Sequence, residues 1–384
     1  MKFRLIIALV LSGILSACDN SDTVVTSIPG GAAVATVASD FSSGSHAIVS
    51  DTNSVFESAN NLLPTASDIT MASSGKYFYR IERAFAGNNI TKFSFDDPQT
   101  VIWQYSVKDD PQEAVSSNPT SMVIVSDQKA YVIRYGKTKA WIVNPSATIE
   151  ADFKIGELDL SAYSDGDGVP EMYGAVIADG NLFITLQRQL NFALSEIAYV
   201  AVFDIATDTE IETNYPGDTV KGIPLEIRNM NNDMVYVGSD NAIYIQGHGS
   251  FSATEFAGGV ERIDVSTYET SLVHDDSAAE GKIISVAVIS ATEAYFIACA
   301  DCEFTSFGFS DYSLYALNPA TGVTSLVDVA ELQHVVLNDL SLSPSGDLWV
   351  SAGSATLHIM DTQTNSLTTS IDTQLDPTQV VFGE

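Results

Sequence analysis

The residues that could do chemistry in this 384-residue chain are few and scattered. Its five histidines are His46, His248, His274, His334 and His358, and no two are near neighbours in sequence. No nucleophile elbow, no His-Glu-x-x-His pair and no phosphate-binding glycine loop accompanies them. Metal-assisted hydrolysis or lyase chemistry would need histidines or carboxylates drawn together by the fold. By the repeat described below, only His248 and His334 fall near the right mouth. Asp68, Asp233 and Asp339 occupy repeat-equivalent places around that mouth, and three carboxylates with neighbouring hydroxyls suit a hard ion such as Ca²⁺.

Binding has further candidates. Six arginines follow residue 17, and Arg80, Arg83, Arg134 and Arg188 stand at or just beyond second strands of the repeat. In so acidic a chain they would form a positive spot for a ligand carboxylate or phosphate. The competing role is ion pairing with Glu82 and Glu196. Phe192, Phe251, Phe256, Phe304, Phe307 and Phe309 crowd three long loops. They would form a docking rim, or else pack on each other to hold the loops down. Asp165-Gly166-Asp167-Gly168-Val169-Pro170-Glu171 resembles the short acidic Asp-Gly calcium loops of extracellular proteins. It lacks the twelfth-position Glu of a full EF-hand, and it also fits a connector between repeats. Asp165 and Asp167 would be the ligands. No cofactor is required by these patterns, and Ca²⁺ is the ion they would suit. Cys299 and Cys302 are spaced for a redox pair or half a zinc site, but no second Cys pair exists. A structural disulfide pinning a loop is expected, given an exported chain.

The elements that position these residues are strands. After residue 32 the chain reads as short alternating runs separated by Gly, Asn, Asp, Ser and Pro, without a useful amphipathic helix. A hairpin unit recurs from Asp68, Ser121, Tyr173, Asp233, Ser285 and Asp339. Its second strand carries Phe78, Tyr131, Phe183, Tyr295 or Trp349, with Ile243 the aliphatic exception. A third strand then ends in a turn at Asp96, Asn144, Asp204, Asp264, Asn318 or Asp361, where Asp and Asn cap their own turns. Four antiparallel strands per repeat make a propeller blade. Six blades run from about residue 64 to 375. The seventh pairs Asp376–Phe382 with residues 32–61, closing the ring and protecting both sheet edges. The expectation is an all-β, seven-bladed propeller over residues 32–384. Ser343-Pro344-Ser345-Gly346-Asp347-Leu348-Trp349-Val350 and turns such as Asp361-Thr362-Gln363-Thr364 resemble the exported bacterial propellers with YVTN or lactonase-like repeats. That fold hosts binders, scaffolds and enzymes alike.

Charge and the first residues bear on place and partner. The chain carries 17 basic and 49 acidic side chains, a net charge of −32, so it has too few cations to hold nucleic acid. An apolar fraction of 45% supplies a core and excludes a disordered acidic tail. Lys2 and Arg4 precede an apolar run, Leu5–Leu11, too short to span a bilayer as a mature helix. Leu15-Ser16-Ala17-Cys18 resembles the lipobox of bacterial lipoproteins. That resemblance implies a signal peptide over 1–17, acyl chains such as palmitate on Cys18, and a tether over 18–31. Asp19 resembles the signal that keeps such proteins on the periplasmic side of the inner membrane of Gram-negative bacteria, with the outer membrane the alternative. The function these features suggest is a lipid-anchored envelope propeller. It would bind another envelope protein or a small ligand at one channel face, without chemistry. The alternative is a metal-assisted hydrolase or lyase at the channel mouth.

Overall fold

The second strand of each repeat is apolar on both sides, and a sheet hides both of its faces only when a further sheet stacks on each. The computed structural model satisfies this seven times over. It describes residues 31–383 apart from 53–54, 191–192, 195, 218, 253 and 303–309, and apart from the side chains of 231–233. The chain forms seven antiparallel blades around a central channel. Their inner strands are Ile69–Ser74, Pro119–Ser126, Met172–Ala178, Met230–Val237, Lys282–Ser290, Leu337–Leu342 and Asp376–Phe382, in blades 1 to 7. In blades 3 and 5 the outer edge is made of two short pieces. Thr209–Glu210 and Ile223–Pro224 both pair with Tyr199–Asp204, and Val323–Leu326 and Gln333–Val335 both pair with Tyr312–Asn318.

Blade 7 is built from both ends of the chain. Its order is Asp376–Phe382, Ala32–Val37, Gly44–Thr52 and Val55–Ala59, all antiparallel. Ala32 stands opposite Phe382 and Val37 opposite Asp376, with one register shift between Ala35 and Thr36. Ring closure by the terminal strands, expected from the repeat, is therefore present. Inner strands begin on one side of the ring, beside the loops that join second to third strands. This side is the loop face. They end on the opposite side, the turn face, which carries the tight hairpin turns.

The core is not central but divided among the seven blade interfaces. The repeating aromatic residue belongs to this packing. Tyr131 of blade 2 donates its hydroxyl to Asp208 in a turn of blade 3 at 2.5 Å. Tyr295 of blade 5 does the same to Asn365 of blade 6 at 2.6 Å, and Trp349 of blade 6 meets Phe56 of blade 7 edge-on. Two assignments from the repeat need correction. Ile243 packs backward against blade 3, while Tyr244 faces blade 5. Likewise Phe78 faces blade 7 and Tyr79 faces blade 2. The forward aromatic of blades 1 and 4 is thus one residue later. A strand shifted by one residue exchanges its faces, so the aliphatic exception was an alignment slip. The turn caps behave as expected at Asn144, Asp204, Asp264 and Asp361, whose side chains accept backbone N–H groups within their turns.

Removing residues 376–384 takes away the inner strand of blade 7 and the ladder to Ala32–Val37. Buried side chains such as Val380 are worth about 1.5–3 kcal/mol each, against a net stability of about 5–15 kcal/mol. The truncated protein is expected to lose its cooperative thermal transition or to aggregate. A melting temperature equal to that of the parent would contradict the closure.

Candidate binding face and channel mouth

The mouth on the loop face is ringed by the beginnings of the inner strands, and its polar groups mostly serve the ring itself. Asp68 accepts the backbone N–H of Phe85 at 3.1 Å and pairs with Arg83 at 3.6 Å. Asp339 accepts the hydroxyl of Ser285 at 3.2 Å. Thr70 donates to the carbonyl of Thr120, and Thr120 to that of Tyr173, stitching blades 1, 2 and 3 along the channel. Gln379 accepts the N–H of Met71 across the closing junction. Within the channel a cavity of about 460 Å³ is lined by Met71, Ser73, Ser121, Met122, Ile124 and Gln379 among others. The side chain of Asp233 lies outside the described residues. His334 is on the split outer edge of blade 5, exposed, and bound to Asp311 at 2.6 Å. The mouth set of Asp68, Asp339, His248 and His334 does not gather into a metal-binding group among the described residues.

The arginines are turned inward. Arg80 is buried and holds Glu82 through Nε and Nη2 at 3.1 and 2.9 Å, while Nη1 donates to the carbonyl of Leu63 at 2.8 Å. Nη1 also faces Nδ1 of His46 at 3.3 Å, and His46 Nε2 faces the carbonyl of Pro98 at 2.7 Å. The neutral imidazole with its proton on Nε2 satisfies both contacts. Burial pushes His46 down to about 4. Glu82 in turn accepts from Thr91 and Gln104, so the carboxylate is fully engaged. Arg134, buried over the Trp141 ring, pairs with Asp109 at 2.6 Å. Arg188 donates to the carbonyls of Tyr163 and Ile197 and approaches Glu196 at 3.7 Å. Ion pairing and loop anchoring, the competing role given above, engage all three side chains, while Nε of Arg134 is buried without a hydrogen-bond acceptor.

His248 and Phe251 do come together at the long loop of blade 4, and Phe256 of the same loop meets Lys282. His248 meets the Phe251 ring edge-on at 5.4 Å, and Asn229 binds its Nδ1 side at 3.2 Å. Burial pushes His248 down to about 4. The residue organising this loop is Lys282, which no local sequence pattern marks. It is buried at the start of the blade 5 inner strand, donates to the carbonyls of Ser250 and Glu255, and lies over the Phe256 ring. Asp276 is buried nearby and accepts the N–H of Gly258, and burial pushes its carboxyl up to about 6. Cys299 and Cys302 are joined as a disulfide at the root of the blade 5 loop. Phe192, Phe304, Phe307, Phe309 and Cys18 lie outside the described residues.

Among the described residues, the aromatic rings most open to solvent on the loop face are instead Phe41 and Phe85, 72% and 90% exposed, in the loops of blades 7 and 1. Both loops are pinned to consecutive residues. Ser67 binds the carbonyl of Phe41, and Asp68 the N–H of Phe85. Val115, 62% exposed, follows on the connector to blade 2, where Ser116 and Asn118 both bind Asn88 of the Phe85 loop. Both Phe positions fall in short loops with a single aromatic residue each, so loop length and aromatic crowding do not mark them.

The acidic connector before blade 3 folds into one cluster. Asp165, Asp167 and Glu171 each offer an oxygen within 4.8 Å of the others. Glu171, buried at the foot of the inner strand, accepts the N–H of Gln189 at 3.1 Å, and one oxygen of Asp165 is buried without a hydrogen-bond donor. Burial, with Asp167 and Asp165 close by, pushes Glu171 up to about 8. Glu171 was not among the ligands expected from the sequence. Its burial and its backbone turn at φ 47° bring it back onto the two aspartates.

No family model and no curated protein matches the chain. Solved structures do. The periplasmic gluconolactonase PpgL of Pseudomonas aeruginosa superposes with a TM-score of 0.61 at 13% identity, over 92% of this chain and 99% of that one. Apo AztD of Citrobacter koseri gives 0.53 at 12% identity, over 92% and 99%. The dihydro-heme d1 dehydrogenase NirN, in complex with DHE, gives 0.53 at 9% identity, over 90% of this chain and 67% of that one. At such identities the likeness establishes the seven-bladed propeller, a fold these proteins put to different uses.

The buried histidines make a pH prediction. The unfolded chain binds a proton on His46 near pH 6.5, whereas the folded protein does so only near 4. Stability from this group is therefore intact above pH 6.5 and falls as pH drops toward 4, by on the order of 3 kcal/mol. Asp276 acts in the opposite sense, its raised carboxyl favouring the fold below its unfolded value and losing that contribution as pH rises through about 6. The clean measurement is a comparison. His46→Gln, which cannot charge, should lose less stability than the parent between pH 7 and 4.5 in denaturant melts. Parallel profiles would show that His46 is not held neutral.

Proposed function

We propose that this chain is a lipid-anchored propeller of the cell envelope that binds a protein partner or small ligand at its loop face and does no chemistry there. The observation that carries the reading is the exposure of Phe41 and Phe85, side by side on one rim. Interface aromatics often dominate binding, at about 2 kcal/mol or more each, and nothing in the ring requires these two outside it. Asp68 and Asp339 at the mouth are, by contrast, occupied in holding blades and loops together. The anchor is supported by Leu15-Ser16-Ala17-Cys18, and the periplasmic side of the inner membrane by Asp19. In capture from membranes of the native bacterium, Phe41→Ser/Phe85→Ser should keep the parental melting temperature and lose the partner. Cys18→Ala should fold but leave the membrane fraction. Retained capture by the double variant would remove the loop-face reading. Labelled palmitate still entering Cys18→Ala would remove that lipid site.

A second reading is favoured by one specific arrangement, the convergence of Asp165, Asp167 and Glu171 beside the mouth. These oxygens suit a hard cation, which is where metal-assisted hydrolysis or lysis would be based on this propeller. PpgL, named a gluconolactonase, makes lactones the first substrates to try. Calcium should raise the melting temperature of the parent and not of Asp167→Asn/Glu171→Gln. Chelator-sensitive lactone hydrolysis lost in the same variant would establish the enzyme. A calcium-induced shift without turnover would leave a structural ion in a binding protein.

A further inference from the structure

We infer that the turn face of the propeller looks toward the bilayer and that the loop face, with Phe41 and Phe85, is presented away from it. The inference rests on the lipid-anchor reading of Cys18 and adds a direction to it. Gly31 accepts a hydrogen bond from the N–H of Gly383 at 2.9 Å, and Ala32 stands opposite Phe382. Phe382 ends the inner strand of blade 7, so the chain coming from Cys18 joins the ring on the turn face. It joins at the second strand, with Gly44–Thr52 and Val55–Ala59 lying outside it.

The reach of the anchor is short on this scale. Residues 18 to 31 are 13 links apart, at most about 43–47 Å fully extended. To bring the loop face to the lipid, that segment would have to pass two outer strands, roughly 10 Å, and then climb the length of a strand, roughly 20–23 Å. That path takes about 30–33 Å of the reach, well beyond the roughly 20 Å that a flexible segment of this length spans on average, so the loop-face arrangement costs chain entropy. Leaving straight from the turn face demands none of this. Charge does not choose between the faces but sets a standoff from the lipid. Asp96, Asp97, Asp127 and Asp179 are exposed on the turn face. Of the cations beside them, Lys129 is tied to Asp208 and Arg262 to Asp240, which leaves the exposed Lys76 in the blade 1 turn against four carboxylates. Anionic headgroups repel such a surface within a screening length, so the body stands off on its tether and does not lie on the lipid. A loop face held outward in this way fits a partner that is soluble or stands in the opposite membrane, and not one whose contact surface is buried in the same bilayer.

The test uses the full-length protein, made in a Gram-negative host and reconstituted into phosphatidylcholine/phosphatidylglycerol vesicles with acceptor dye on the headgroups. A donor dye is placed at Gln128→Cys on the turn face or at Phe85→Cys on the loop face. The pair Lys76→Cys and Val115→Cys repeats the comparison at independent positions. Because transfer falls with the sixth power of distance, the turn-face donors should transfer severalfold more strongly. Their transfer should fall as phosphatidylglycerol is raised at low salt. Equal transfer from both faces, or stronger transfer from Phe85→Cys and Val115→Cys, overturns the orientation. Protein that does not float with the vesicles brings down the anchor reading and the orientation together, and it does so before any dye is read.

Discussion

Everything in this molecule depends on one antiparallel ladder, the pairing of Asp376–Phe382 with Ala32–Val37. Each blade has an apolar face on both sides, and no blade can cover both alone. Six blades from one continuous stretch would leave two such faces and two edges in water. The ladder makes the seventh blade from the two chain ends, and each interface then has its own packed cluster. Because these clusters are equivalent in kind, stability is shared around the ring and no single residue serves as a centre. The polar stitching of the channel, Thr70 to Thr120 and Thr120 to Tyr173, repeats that logic on the inside.

A ring held by its interfaces leaves its loops free to differ, which is where function enters. The buried Arg80–Glu82–His46 group spans the junction of blades 7 and 1, the junction that the closing ladder completes. Breaking such a group by removing one partner is costly, because the other charge stays buried and unpaired. The loops carrying Phe41 and Phe85 rise from that same rigid junction. A binding surface placed on the best-fastened part of a ring loses little conformational freedom when it is occupied.

Much of this was legible in the sequence, and the remainder was illegible for physical reasons. Blade number, ring closure and the capped turns follow from period and local chemistry, which act over a few residues. The register of blades 1 and 4 did not follow, because Phe78-Tyr79 and Ile243-Tyr244 offer two plausible residues one step apart. Only the neighbouring blade decides which one faces it. Pairing of the scarce arginines Arg80 and Arg188 with Glu82 and Glu196 was legible, whereas scarcity does not reveal that Asp109 waits beside Arg134 or that backbone carbonyls wait beside Arg188. Lys282 was missed for the opposite reason. Its task is to bind carbonyls of a loop 27 and 32 residues away, and no local pattern marks it. Glu171 needed a turn with positive φ to rejoin Asp165 and Asp167, a geometry the spacing alone does not specify.

The closing ladder also sets an order of events. Ala32–Val37 is made first, and its partner Asp376–Phe382 comes last, more than three hundred residues later. Contacts of such separation form slowly, since the loop entropy must be paid before the pairing rewards it. While the chain emerges from a ribosome or a translocation pore, the second strand of blade 7 remains an unpaired edge, with blades stacking behind it. The ring can shut only once the C-terminal residues are released. Until then the molecule is an open arc that binding partners, proteases and chaperones meet in a different form from the finished one.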